Sequence, residues 1–355
     1  MGFDLKKLFV DVFHPEAGER VVVVRDAPTE GIEDNALWVE RREMAAEWRD
    51  ALAGAQDEIG LQVADLVTYP GVGAHNGDLP LDSGDPVSLR EALSCATIGL
   101  ALTEFSPTAP MVAWSNANED FRCATLPGVA RRTEGTALSA DYGEVARRCL
   151  ILRDQLDAAD AADVVFSTGH EWHVDLRHRK ALMDDGQLPR DKVGRVINLP
   201  SGESFQVPYE GEIGGDASET EGEVPVPDGG DTLIYHIREN RVQNVSGGQN
   251  AASWKSYFEQ DRSRSNIAEF AFGCNPEAVV WDNVLEDEKA GFHWAYGRSE
   301  HLGGTVGPAD FKGPDTIVHQ DIVYAPDSPI QVVSVKLIGP EGAVEVIRDG
   351  TYSVF

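Results

Sequence analysis

The sequence predicts an α/β N-terminal domain followed by a β-rich (α+β) C-terminal domain. Two observations carry this reading. Strand-like and helix-like patterns alternate through the first half, as they do over a mostly parallel sheet. After about residue 165 they give way to short strands separated by Gly, Pro and acidic turns. At 355 residues the chain also exceeds the usual size of a single core, so two domains are expected, 1–164 and 165–355.

In the first half, "RVVVVRD" at 20–26 is a short apolar run suited to a buried strand. A long helix is expected over 35–56, with Leu37, Met44, Trp48 and Leu52 available for one face. "LQVADLVTYP" reads as a second strand, and "DPVSLREALSCA" has Pro and Ser near the start of a helix. "TIGLALTEF" and "PMVAWSN" are further strand candidates, and "DYGEVARRCLILRDQLDAADAADVVFST" reads as a helix leading into a strand. No GxGxxG or GxxxxGK[ST] follows any of them, and "YPGVGAHNG" matches neither phosphate-binding loop. This half is expected to be scaffold and pocket wall. In the second half, "GRVINLPSGESFQVPYEG", "GDTLIYHIRENRVQNVSGG" and "IQVVSVKLIGPEGAVEVIRDGTYSVF" have hairpin-like spacing. The acidic, Gly-rich 214–231 segment reads as a solvated loop.

The net charge of -30 comes from 60 acidic against 30 basic residues, of which only eight are Lys. Such a surface repels polyanions, which argues against a nucleic-acid partner. The acids are spread over both halves, in the manner of halophilic proteins whose self-repulsion is screened at high salt. No apolar run approaches the roughly 18 residues of a transmembrane helix, so no membrane association is expected. The N-terminal stretch carries acids and no small-residue cleavage site, so it does not read as a signal peptide, and a cytoplasmic location is expected. Cys95, Cys123, Cys149 and Cys274 show no metal-binding or redox spacing and are expected to be buried free thiols.

The residues that carry chemistry lie in the second half. In "IVHQDIVY", His319 and Asp321 are two apart in a strand-like run, so both side chains would share one face. That fits a metal grip or a strand with its polar side in water. Glu269 sits in "NIAEFAFGCNPEA" among Ile267, Ala268, Phe270 and Phe272, where burial would be costly without a metal or cation. Period-2 alternation could equally turn it to solvent. Glu203 in "NLPSGESFQVP", taken alone, reads better as a turn acid, and His293 between Phe292 and Trp294 as a hydrogen-bonded core histidine. His301 lies in a Gly-rich loop nearby. Together these residues could hold one or two divalent cations. "HEWHVDLRHRK", with His170, His173 and His178, is not the HExxH of zincins and suits a strand or exposed turn. There is no GxSxG elbow and no Cys nucleophile motif.

The ordered set "INLPSGESFQVP", "AEFAFGCNP", "EDEKAGFHWAYGRS" with its following "GG", and "VHQDIVY" resembles the M29 metallo-aminopeptidases, the aminopeptidase T family, over about residues 165–325. The resemblance implies a β-rich metal-binding catalytic domain and a homodimer acting on small peptides. It also implies two divalent metal ions (Zn, Co or Mn) held by Glu203, Glu269, His293, His319 and Asp321, with Glu269 as the catalytic carboxylate. Arg298 and His301 are the residues expected to contact substrate. Where the family commonly has a Tyr after the His matching His293, this chain has Glu300 and His301. Dihydroxypyridine dioxygenases resemble the same scaffold. They imply the alternative of one Fe(II) in a site of two His and one carboxylate, here His293, His319 and Asp321. They carry a His where this chain has Glu269 and lack the acid matching Glu203, so the five retained positions favour the hydrolase.

Overall fold

The computed structural model describes residues 3–192 and 195–355. The chain forms two compact units: Met1–Ala146, Asp184–Ser201 and Asn275–Glu286 in one, Arg147–Met183, Gly202–Cys274 and Asp287–Phe355 in the other. The first junction falls before the expected 164/165, and the chain re-enters the first unit twice. Strand pairing explains this. Ala161–Phe166 is hydrogen-bonded to Val332–Gly339 and so belongs to the second unit, whereas Val196–Asn198 adds in parallel to Arg122–Pro127 in the first.

The first unit is built on a parallel sheet ordered Gln62–Val63, Arg20–Ala27, Ile98–Thr103, Arg122–Pro127, Val196–Asn198, with Val67–Pro70 also pairing Arg20–Ala27. Val21, Val22, Val23 and Val24 are all buried, as expected of a parallel strand covered on both faces. "LQVADLVTYP" makes two short strands rather than one, both against Arg20–Ala27. The expected helix is Ala36–Ile59, opened by the Asn35 side chain accepting from Trp38 N and closed by Gly60 in the left-handed region. "PMVAWSN" is not a strand: Thr108–Ala117 is helical. Its buried residues Met111 and Ser115 are one turn apart, and Pro110 lies in the first turn, where a missing N–H breaks no bond.

The second unit carries two antiparallel sheets. The larger runs Arg241–Ser246, Asp231–Arg238, Glu221–Asp228, Glu171–Asp175, Ala161–Phe166, Val332–Gly339, Gly342–Arg348, Thr351–Tyr352. The segment expected to be a solvated acidic loop thus contains the strand Glu221–Asp228, turning through Gly229 and Gly230 into its partner. Two prolines are tolerated because Glu171–Asp175 pairs only with Glu221 and Gly222, leaving Pro225 and Pro227 where their missing donors break no pairing on that side. The smaller sheet is ordered His319–Tyr324, Phe292–Gly297, Ile267–Gly273, Glu203–Gln206, Leu182–Asp184. The two sheets meet through aromatic rings: Trp172 lies 5.9 Å from Phe270 and 5.7 Å from Trp294, and Tyr235 lies 6.1 Å from Trp294. Of the cysteines, all free, Cys95 is exposed and the other three are buried as expected. Among the described residues no helix is long and apolar enough to cross a membrane.

Candidate metal centre

Strand register brings the site together. Glu203 pairs with Gly273, Ala271 with His293, Glu269 with Ala295, Ala295 with Asp321, and Gly297 with His319. Partners in register point to the same face of a sheet, and residues two apart along a strand do so as well. All five predicted ligands therefore project from one face of the smaller sheet. Their neighbours on that face, Ala271, Gly273, Ala295 and Gly297, are small and leave room above it. The alternating positions, Phe270, Phe272, Phe292, Trp294 and Tyr296, face the other way, into the aromatic layer. Alternation thus turns Glu269 away from the core yet not into solvent, for it is only 5% exposed. Glu203 is buried at the start of its strand and is not a surface turn acid.

The side chains form two groups that share one carboxylate. Glu203, Glu269 and His293 place one donor atom each within 4.8 Å of one another, and Glu269, His319 and Asp321 do the same. Glu269 turns Oε1 toward His293 Nε2 at 4.0 Å and Oε2 toward His319 Nε2 at 3.1 Å. His319 Nε2 also lies 3.5 Å from Asp321 Oδ1. Both imidazoles are oriented from behind. His319 Nδ1 donates to Arg298 O at 2.7 Å and His293 Nδ1 to Gly291 O at 3.2 Å, which in the neutral ring leaves each Nε2 as a lone pair aimed at the cluster.

This donor set fits a divalent cation. Glu203 Oε2 and His293 Nε2 are 3.2 Å apart and buried, yet neither makes a hydrogen bond. Buried polar atoms are seldom left so. Burial opposes a charged imidazole at both histidines, but the ion pair with Glu203, then Glu269 and Asp321, raises His293, and Asp321 and Glu269 raise His319. Burial and the Glu203 charge raise the Glu269 carboxyl despite His319.

Three residues around the site went unrecognised in the sequence. Lys289 is 1% exposed, with Nζ 2.7 Å from Glu203 Oε1 and 2.5 Å from Glu288 Oε1. Burial, together with Glu203 and Asp321 nearby, raises the Glu288 carboxyl although Lys289 opposes the rise. Their only signal was a charged "DEK" directly before an apolar strand. Glu210 was also missed. It accepts from Ser299 Oγ at 2.5 Å, Thr305 N at 2.6 Å and Asn266 Nδ2 at 2.8 Å, and so holds the loop that carries Arg298 and His301.

The expected substrate residues lie beside His319. The His301 ring stands edge-on to His319 with centroids 5.0 Å apart. Burial, then the positive neighbours His319 and Arg298, lower His301 to about 4, so it is neutral near pH 7. The Arg298 guanidinium is engaged by Glu300, with Nε 2.6 Å from Oε2. His170, His173 and His178 stand apart from the centre. His173 sits in the strand Glu171–Asp175 with Nδ1 2.7 Å from Asp163, and His178 follows in a turn with φ 62°.

No known family model matches the sequence, and no curated protein is detectably similar to it. The fold does have solved counterparts. The 2,5-dihydroxypyridine dioxygenase from Pseudomonas putida KT2440 superposes with a TM-score of 0.63 at 17% identity, covering 95% of this chain and 92% of its own. Wild-type AmpT from Thermus thermophilus superposes with a TM-score of 0.58, also at 17% identity, covering 99% of this chain and 98% of its own. Both likenesses span nearly the full length, and the chain has the fold that these two proteins share.

Proposed function

We propose that this chain is a metal-dependent hydrolase, an aminopeptidase that releases N-terminal residues from small peptides. The observation that carries the reading is Glu269, one buried carboxylate common to two adjoining ligand groups. Two divalent cations (Zn, Co or Mn) held by Glu203, Glu269, His293, His319 and Asp321 would supply Lewis-acid chemistry, acidifying a water and polarising the scissile carbonyl. Glu269 takes the proton of the attacking water and passes it to the leaving amine. The carbonyls of Gly291 and Arg298 keep His293 and His319 in the tautomer that ligation needs. Neutral His301 hydrogen-bonds the substrate, and Arg298, held by Glu300, offers its remaining donors to a substrate carboxylate or oxyanion. The fold likeness to AmpT supports this reading.

The second reading, ring cleavage of a hydroxylated aromatic by a single Fe(II), is favoured by the likeness to the dioxygenase. The donor geometry counts against it. Each of the two ligand groups found among the described residues contains one imidazole, and His293 falls in a different group from His319 and Asp321. The deciding experiment assays zinc-, cobalt- and manganese-loaded protein on aminoacyl-p-nitroanilides and dipeptides, with oxygen uptake on dihydroxypyridines followed in parallel on iron-loaded protein. Amide hydrolysis supports the hydrolase. Oxygen consumption without hydrolysis would replace it with the dioxygenase.

A further inference from the structure

We propose that Lys289 is a positioning residue that makes Glu203 a one-oxygen ligand and orders cation loading, with the Glu269–His319–Asp321 group filling first and the Glu203–Glu269–His293 group second and more weakly. The inference rests on the paired-cation reading above and adds to it an asymmetry between its two halves.

Lys289 Nζ claims Oε1 of Glu203 at 2.7 Å, while Oε2, the oxygen facing His293, is left without a hydrogen bond. Glu203 therefore has Oε2 free for a cation, and Oε1 only in competition with the ammonium. The ammonium is buried, and a buried ammonium persists only when paired, here with Glu203 and Glu288. Its position is built into the backbone. Gly273, the register partner of Glu203, allows the Lys289 segment to pass so closely that a Cβ there would lie 2.2 Å from Glu288 O and 2.6 Å from Lys289 C.

Among the described residues, the other group has no such cation: the ion pairs of Glu269 and Asp321 are with histidines alone. A fixed positive charge opposes a divalent cation more strongly the closer it stands, and low dielectric sharpens the difference. Lys289 touches the Glu203 side, so its charge weakens that half first.

The test is titration of chelator-stripped protein with Zn²⁺ against a competing chelating dye in molar KCl, for wild type, Lys289→Gln and Glu203→Gln. Lys289→Gln keeps a donor for Glu203 Oε1 and removes the charge. Wild type is expected to bind in two steps, the second at least about tenfold weaker. Lys289→Gln should tighten the second step by about tenfold or more and leave the first nearly unchanged. Glu203→Gln should lose the second step and keep the first. Two wild-type steps of equal affinity would overturn the assignment, as would a second step unmoved or weakened in a folded Lys289→Gln protein, while the paired-cation reading would stand. Wild type that binds no zinc would overturn both. If Lys289→Gln fails to fold, the wild-type and Glu203→Gln titrations decide.

Discussion

Glu269 and His319 meet across an intervening strand, Oε2 to Nε2 at 3.1 Å, while the second nitrogen of His319 is tied to the carbonyl of Arg298. The contact spans three strands because Ala295, in register between Glu269 and Asp321, is too small to separate them. A bulkier residue there would fill the space between the two carboxylates.

Replacing Glu269 with Gln should remove most turnover, on the order of 10²–10⁴-fold in kcat, because the proton acceptor and the carboxylate common to both ligand groups are lost together. Unchanged far-UV circular dichroism would show that the fold survives. A folded variant with normal kcat would refute the role given to Glu269.

Gly273→Ala should destabilise the second unit by about 1–3 kcal/mol, since its Cβ would overlap Glu288 O and the strand must shift. Urea unfolding would measure this. Gly313→Ala, likewise outside the left-handed region but with no atom near its Cβ, is the matching control.

Acid should unmask the buried pair of Glu19 and Arg122 in the first unit, which are 2.8 Å apart. Burial would raise the Glu19 carboxyl, but Arg122, the Glu16 N–H and Arg190 outweigh it and hold it below its ordinary value. A depressed carboxylate stabilises the fold above its unfolded pKa of about 4.3, and that contribution is lost as pH falls through the lower folded value. Glu19→Gln should therefore be less stable than wild type by about 3–5 kcal/mol at pH 7, with the gap closing below about pH 4. An equal gap at pH 7 and pH 3 in denaturant melts would contradict this.

The charge of -30 predicts that the melting temperature rises steadily from dilute buffer to molar KCl, as screening relieves repulsion among the acids. Full stability in dilute buffer would remove the case for halophily.

What the sequence disclosed follows from what is local. The candidate ligands were not legible one by one: Glu203 read as a turn acid, His293 as a core histidine, and Glu269, His319 and Asp321 each fitted two readings, so only the order of their segments, through its family resemblance, picked out the five. The parallel strands of the first unit were visible as Val-rich runs. "PMVAWSN" misled because a short apolar run does not by itself separate a strand from a buried helix. The 214–231 segment misled because its acidity and glycines concealed Val224 and Val226, two apart on one strand face. Lys289, Glu288 and Glu210 were hidden for a different cause. Lys289 reaches Glu203, 86 residues away, where the chain passes close to Gly273, Glu288 acts through Lys289, and Glu210 acts through Asn266, Ser299 and Thr305, all distant in sequence.

The most direct test of the central claim is anomalous diffraction from crystals of the wild-type protein equilibrated with excess Zn²⁺. Two anomalous peaks are predicted, one on each side of Glu269, the first within reach of His319 and Asp321 and the second within reach of Glu203 and His293. A single peak bound by His293, His319 and Asp321 together, with Glu203 and Glu269 turned away, would contradict it.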